Sequence, residues 1–455
     1  MAYAPKTSSG GRIFPLLWSL AAVISSPGAE KIVCGYYPSF LRGALPAESI
    51  QYENLTHVAH AFAWPEADGS LSMDADFLYP RLIDEAHRAG RKVLVSLGGW
   101  GQSSGFSPMA ADPSARAAFV QNVVRFCSAN GYDGVDIDWE SPANPEDKNH
   151  LTQLIGALRA GLDASGRDLL LTLAIPAGDW GGQWFDYAAM EAHVDWFGCM
   201  TYDFFGSWVS RAGHNSPLYP PSTNDNGSIH SSVQYLTSTR SLPRGKILIG
   251  IPFYGRGCNA TGYGAPNTGG DVEYGYSEIA PKIGKGWAVR WDKTAKVPYL
   301  LDDALTRFIS YDDTASVRLK CEYALTGGLS GVMIWAMGQD VIDGSQPLME
   351  AVGRAMLTGT ATPGESASAS FALLNAYPNP FNAVTRIAFT LERSEAVRLE
   401  VFNMEGERIC ILADELRSSG RHTVPFDGRD LPSGTYVVKL TTPSFSQSGR
   451  MALVK

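Results

Sequence analysis

A (β/α)8 barrel followed by a small all-β sandwich is the architecture predicted for this 455-residue chain. From residue 31, short apolar runs of β character alternate with amphipathic helical stretches, the pattern of parallel strands joined by crossover helices. Eight such runs can be counted, and the residues suited to chemistry sit at their C-terminal ends, where a (β/α)8 barrel builds its site. After Leu357 the composition breaks, first to Thr, Ser, Ala, Gly and Pro, then to alternating runs separated by Gly, Pro and Asp turns. With 45% hydrophobic and 18% charged residues, the chain can bury a sizeable core.

In order along the chain, residues 1–29 read as a secretory signal peptide. Lys6 and Arg12 precede a mostly apolar stretch from Ile13 to Ile24 and a small-residue exit, Ser25-Ser26-Pro27-Gly28-Ala29. That stretch is short for a membrane span. The barrel is expected over 30–357, with strands near 31–37, 56–63, 92–98, 133–139, 169–175, 195–202, 246–253 and 330–336. The gap between the seventh and eighth runs is too long for one helix, so an inserted α+β module is placed at 258–326. Residues 358–370 have linker composition. Runs such as Thr385–Leu391, Val397–Phe402 and Thr435–Leu440 then predict the sandwich over 371–455.

The stretch Tyr132-Asp133-Gly134-Val135-Asp136-Ile137-Asp138-Trp139-Glu140 is the most informative. On a strand, alternate side chains share a face, which sets Asp136, Asp138 and Glu140 against Val135, Ile137 and Trp139. A solvated edge fits poorly with that apolar face. A cation site would recruit further oxygen ligands, and none can be located. Neighbouring acids on the face are ~6.6 Å apart along the chain. Like charges at that spacing resist ionising together, so Glu140, at the C-terminal end, is expected to hold a proton near neutral pH as a general acid. Glycoside cleavage needs such an acid. All the acids coming from one strand suggests a nucleophile supplied by the substrate, such as the acetamido oxygen of an N-acetyl sugar.

This stretch resembles the DGxDxDxE signature of family 18 glycoside hydrolases, the chitinases. Arg91-Lys92-Val93-Leu94-Val95-Ser96-Leu97-Gly98-Gly99-Trp100 is similar to that family's third strand with its SxGG ending, and Met200-Thr201-Tyr202-Asp203 to its sixth-strand MxYD. Gly250-Ile251-Pro252-Phe253-Tyr254-Gly255-Arg256 and Gly331-Val332-Met333-Ile334-Trp335 resemble the seventh and eighth, and Phe40 stands where many members carry Trp. The resemblance implies a retaining chitinase in which Glu140 is the acid and base, Asp138 and Tyr202 hold the acetamido group, and Asp136 shares charge with Asp138. It implies sugar contacts from Trp335, Asp203, Met200, Tyr36, Phe62, Trp100, Tyr254 and Arg256. Trp287, Trp291 and Tyr311-Asp312-Asp313 resemble the family's small insertion, which raises one wall of the groove. Rival readings are an endo-β-N-acetylglucosaminidase, a peptidoglycan hydrolase, or a chitin-binding lectin, the last opposed by the presence of Glu140. Tyr377-Pro378-Asn379-Pro380-Phe381-Asn382 and Gly434-Thr435-Tyr436-Val437-Val438-Lys439 resemble the C-terminal sorting domain of type IX secretion cargo. They imply a secreted or cell-surface protein of a Gram-negative bacterium that meets the secretion machinery. The blander alternative is a carbohydrate-binding or spacer module, although this one has few aromatics and no Trp.

The formal net charge of −9 disfavours a nucleic-acid partner. A neutral sugar polymer such as chitin binds instead by stacking on aromatics, of which there are 11 Trp, 19 Tyr and 19 Phe. The six cysteines are too scattered for a disulfide framework, although Cys258 and Cys321 flank the insertion and could pair. His60, His193 and His214 show no metal spacing, so no metal or cofactor is expected. A monomer is expected.

Overall fold

The computed structural model describes residues 31–221, 226–357 and 373–455, apart from positions 378, 380, 392–393, 405, 419 and 443–445. The expected signal peptide and linker lie outside the described residues.

Eight parallel strands close on themselves. They are β1 (Ile32–Pro38), β2 (His57–Pro65), β4 (Lys92–Gly98), β5 (Gly134–Asp138), β6 (Leu170–Pro176), β7 (Trp196–Met200), β8 (Ile247–Pro252) and β14 (Gly331–Trp335). The hydrogen-bonded order runs from β1 through β14, β8, β7, β6, β5, β4 and β2, and pairing of β2 with β1 seals the barrel. A short strand, β3 (Leu71–Met73), runs antiparallel beside β2. Every run expected from the sequence is a strand, with ends shifted by no more than about two residues in most cases, as fraying of element ends makes ordinary.

The helices preceding and following β5 are set by local chemistry. The helix Pro113–Asn130 starts on Asp112, whose side chain accepts the N–H groups of Ser114 (2.7 Å) and Ala115 (2.9 Å). Asp133 then pins the start of β5 to β4 by accepting the Val93 N–H at 2.7 Å. Beyond Glu140, the helix Pro145–Ala164 is capped by Asn144, which accepts the Asp147 N–H at 2.8 Å. Buried Asp147 accepts in turn from Ser107 Oγ (2.6 Å) and Asn144 Nδ2 (2.9 Å), tying down the loop after Glu140.

Between β8 and β14 lies a five-stranded antiparallel sheet. Its strands are β9 (Tyr254–Asn259), β10 (Val272–Gly275), β11 (Trp287–Asp292), β12 (Val297–Asp302) and β13 (Arg307–Ser310), in the order β10-β9-β13-β12-β11. The sheet starts at Tyr254, directly after β8, while the helix Thr314–Thr326 packs on β8 and β14 as part of the barrel's outer layer. Cys258 and Cys321 are both buried free thiols. They do not pair because Cys258 sits in the sheet's own apolar cluster with Phe205 and Phe308, whereas Cys321 faces the barrel core.

The C-terminal strands are β15 (Leu373–Tyr377), β16 (Val384–Leu391), β17 (Glu395–Phe402), β18 (Arg408–Arg417), β19 (Gly420–Asp427), β20 (Gly434–Thr441) and β21 (Ser446–Leu453). They form two antiparallel sheets, β15-β16-β19 and β18-β17-β20-β21. Ile387, Phe389, Val424 and Phe426 from one share a core with Leu399, Val401, Val438 and Leu440 from the other.

Barrel closure makes a test. At Gly331, which pairs with Ile32, an added Cβ would lie 1.9 Å from the Ile32 carbonyl oxygen. Gly331→Ala is expected to lose about 1–3 kcal/mol in urea unfolding, because a backbone neighbour cannot step aside. A wild-type midpoint would show that the β1–β14 seam is looser than described.

Candidate active site

β5 builds the centre of the site. Val135, Ile137 and Trp139 are buried on the helix-facing side, where Trp139 stacks on Phe106 with 5.2 Å between ring centroids. Asp136 and Asp138 take the opposite face and are 4% exposed. Ser96, Asp136 and Thr172 stand side by side in the register of β4, β5 and β6. Asp136 consequently accepts three hydroxyl hydrogen bonds, from Thr172 Oγ1 (2.6 Å), Ser96 Oγ (2.8 Å) and the Tyr36 phenol (2.8 Å). Burial pushes its carboxyl above the usual range, and these three donors pull it only part of the way back.

Asp138 has no such cradle. Its Oδ1 is buried with no hydrogen-bond partner in the protein. Burial, then the charges of Glu140 and Asp136, push its carboxyl well above the usual range. Glu140, partly buried, is pushed up to about 7, by burial first and then by Asp203. Asp138 and Glu140 titrate as a pair that retains a proton near neutral pH. Spacing along β5 predicts that like charges on that strand raise Glu140. Burial leads instead, and the charge acting on it comes from the segment after β7.

Glu140 stands just beyond β5, where its N–H donates to Ser103 Oγ at 3.0 Å. That hydroxyl also donates to the carbonyls of Gly99 and Asp138, both at 3.2 Å, so one serine holds the end of β5 to the loop after β4.

Tyr202 and Asp203 follow β7. The Tyr202 ring meets Tyr254 edge-on at 6.1 Å. Its other neighbour is Gly250, where a Cβ would come within 2.7 Å of the ring, so only glycine leaves room for it. Burial, then the charges of Asp138, Glu140 and Asp203, keeps the Tyr202 hydroxyl protonated and able to donate. Asp203 adopts a left-handed backbone (φ 58°) and accepts from the Tyr254 hydroxyl (2.6 Å) and Arg256 Nε (2.5 Å). Arg256 also reaches Glu273 at 3.6 Å and lies over the Trp208 ring at 5.1 Å.

Trp335 ends β14 and stacks on Phe62 at 5.6 Å, with Tyr36 edge-on at 5.8 Å, making an aromatic floor. Met200, at the end of β7, is partly buried against the barrel's inner cluster. Trp100 is 87% exposed after β4. Three residues expected as sugar contacts also direct polar groups into the protein: Tyr36 to Asp136, and Tyr254 and Arg256 to Asp203.

Thr172, Ser103 and Trp208 carry no expectation from the sequence, and Ser96 enters there only as part of the SxGG ending. Ser96 and Thr172 had a signal, since aligning three adjacent strands sets both beside Asp136. Ser103 had none, because its partners are backbone groups 4 and 35 residues away.

Residues 32–340, more than half of the chain, match the model of glycosyl hydrolases family 18. The chain belongs to that family. Residues 375–453 match the secretion system C-terminal sorting domain. Chitinase A1 of Niallia circulans is 36% identical over 284 residues, 55% of this chain and 40% of the relative. This chain therefore spans less than half of that relative's length. Chitinase 1 of Aphanocladium album is 31% identical over 335 residues, 66% of this chain and 78% of the relative. Among solved structures, the Group IV chitinase of Ostrinia furnacalis in complex with allosamidin superposes with a TM-score of 0.67 at 28% identity, covering 71% of this chain and 98% of that one. A family 18 N-acetylglucosaminidase from Paenibacillus barengoltzii does so with a TM-score of 0.66 at 30% identity, covering 72% of this chain and 100% of that one.

The hydroxyl cradle of the family 18 domain makes a test. Thr172→Val keeps the shape and removes one donor to Asp136, so the Asp136 pKa rises in the folded state. A raised folded pKa removes stability as pH climbs above the unfolded value. The expected loss is about 1.5–3 kcal/mol at pH 8, shrinking as the pH falls and Asp136 takes up a proton. A loss independent of pH would contradict an ionised, hydroxyl-held Asp136.

Proposed function

We propose that this family 18 enzyme is a secreted chitinase that cleaves β-1,4 bonds between N-acetylglucosamine units with retention, using the substrate's acetamido group as nucleophile. The observation that carries the reading is Asp138 Oδ1, a buried acceptor without a protein partner, next to a Glu140 that holds its proton up to about pH 7. An acetamido N–H is the donor such an oxygen needs. The other acid near the pair, Asp203, already has Oδ1 committed to Tyr254 and Arg256, which disfavours it as a nucleophile.

With substrate bound, the one proton of the Asp138–Glu140 pair rests on Glu140 and Asp138 is ionised; in the first step Glu140 donates that proton to the glycosidic oxygen as the C1–O bond breaks. The acetamido carbonyl oxygen closes on C1 to form an oxazolinium ion. Asp138 accepts the acetamido N–H and shares its negative charge with the growing positive one, while Tyr202 donates to the carbonyl oxygen. Glu140, now a carboxylate, then takes a proton from water attacking C1, which reopens the ring with retained configuration and restores the acid. Negative charge on Asp136, after burial and Glu140, favours the protonated form of Asp138.

A polymeric substrate is supported by exposed aromatics. Phe40 (73% exposed), Trp100, Trp180 (74%) and Trp208 (59%) each lie in the segment that leaves the C-terminal end of a barrel strand. We read the sheet β9–β13 as a wall of the same groove and the C-terminal module as a type IX secretion address. The likeness to the Paenibacillus barengoltzii N-acetylglucosaminidase favours a second reading, release of single N-acetylglucosamine units. Product analysis on chito-oligosaccharides separates the two.

Glu140→Gln is expected to lower kcat about 10²–10⁴-fold while oligosaccharide binding survives, and wild-type kcat/KM should decline as pH rises through about 7. Fully deacetylated chitosan should resist cleavage. Its efficient hydrolysis, or turnover by Glu140→Gln, would refute the mechanism.

Every proposed catalytic residue precedes the expected linker, so truncation after Thr358 should leave kcat/KM on soluble oligomers within about twofold and abolish export in a host with the matching machinery. Lost activity in a folded truncated chain would assign the module to catalysis.

A further inference from the structure

Tyr202 follows β7 rather than belonging to it, so the strand ladder does not fix its hydroxyl. Both peptide groups that flank it instead reach one dipeptide, Asn215-Ser216, in the long segment between β7 and β8. On the N-terminal side Ser216 Oγ donates to the Thr201 carbonyl at 2.7 Å, and on the C-terminal side the Asp203 N–H donates to Asn215 Oδ1 at 3.1 Å. With the planar peptides on both sides held, the two backbone torsions of Tyr202 are set. Its ring is seated separately. Thr201 Oγ1 donates to the Gly250 carbonyl (2.8 Å) and accepts the Gly250 N–H (2.9 Å), which keeps against the ring a residue with no Cβ to strike it.

The dipeptide is anchored by a buried charge pair that the proposed chemistry does not use. Lys320, on the helix Thr314–Thr326, is fully buried, and its Nζ donates to Asp312 Oδ2 at 2.6 Å and to Ser216 Oγ at 2.8 Å. Asp312, 2% exposed, accepts from Ser316 Oγ at 2.6 Å on its other oxygen. An ammonium only donates, so Ser216 Oγ must accept from Lys320, and its single proton is left for the Thr201 carbonyl. The ion pair thus fixes the direction of the bond that holds the peptide before Tyr202. Stability alone is a weak reason for such a pair, since apolar residues of similar volume often serve as well.

We propose that Ser216 and the Lys320–Asp312 pair are positioning residues that hold the Tyr202 hydroxyl where the acetamido carbonyl oxygen arrives, and so act on kcat through Tyr202. The inference rests on the role given to Tyr202 above.

The test measures kcat and KM on a soluble chito-oligosaccharide for the full chain, for Ser216→Ala, for Tyr202→Phe and for the two combined. A further variant joins Lys320→Met to Asp312→Asn, which leaves no unpaired charge behind. Ser216→Ala is expected to lower kcat about tenfold or more with KM within about threefold, and the charge-free variant to act in the same direction. Tyr202→Phe should lower kcat about 10²-fold or more. Adding Ser216→Ala to it should cost no more than about a further twofold, because no hydroxyl remains to be placed. Should Ser216→Ala not fold, the charge-free variant is measured in both backgrounds and judged in the same way. An unchanged kcat in the folded variant, a change confined to KM, or an equal loss in the wild-type and Tyr202→Phe backgrounds would overturn the proposal. Tyr202→Phe separates the two failures: wild-type kcat there refutes the role of Tyr202 and the positioning with it, whereas a loss there beside wild-type kcat in folded Ser216→Ala refutes the positioning alone.

Discussion

A carboxylate taken into a barrel interior must be paired, hydrogen-bonded or protonated, and β5 carries two of them with a third just beyond. The site is three different answers to that constraint. Asp136 is hydrogen-bonded by three hydroxyls drawn from β1, β4 and β6, which offset part of the upward push of burial. Asp138 leaves its buried Oδ1 without a protein partner, so it shares one proton with Glu140 until a substrate donor arrives. Glu140 sits at the mouth, less buried, where a proton can leave and return. The gradient from satisfied to unsatisfied acid runs outward along one strand, and it follows from the positions of Ser96 and Thr172 in neighbouring strands.

The barrel was legible because a parallel sheet covered by helices leaves a repeating mark: eight apolar runs, each followed by a stretch of another periodicity. The acidic face was legible for a related reason, since the two-residue period of a strand sorts Asp136 and Asp138 from Val135 and Ile137 without further information. What periodicity does not encode is contact between distant segments. Asp203 meets Tyr254 and Arg256 only because β9 turns back from the end of β8 into the inserted sheet. The hydrogen bonds of those two residues to Asp203 consequently had no mark in the sequence. The source of the charge on Glu140 was hidden for the same reason.

The inserted sheet shows the limit most clearly. A long gap between two strand runs announces extra structure, yet its boundaries depend on what packs where. Helix Thr314–Thr326 belongs with the barrel because its buried face meets β8 and β14, and Cys258 and Cys321 fall into separate apolar clusters on either side of that division. The sheet also anchors the segment after β7, where the Asn215 N–H donates to Ser310 Oγ at 2.9 Å. Legibility in the C-terminal module was of a third kind: alternating runs gave the strands, while their division into two sheets rests on pairings across the module.

The central claim is that Asp138 and Glu140 together keep a proton near neutral pH. Infrared difference spectroscopy between wild type and Glu140→Gln, followed from pH 5 to pH 9, reads it directly through the protonated-carboxyl stretch. A band present in wild type at pH 6, lost as the pH rises through about 7 and altered by Glu140→Gln, is the expected result. Full ionisation of both carboxyls already at pH 5 would contradict it.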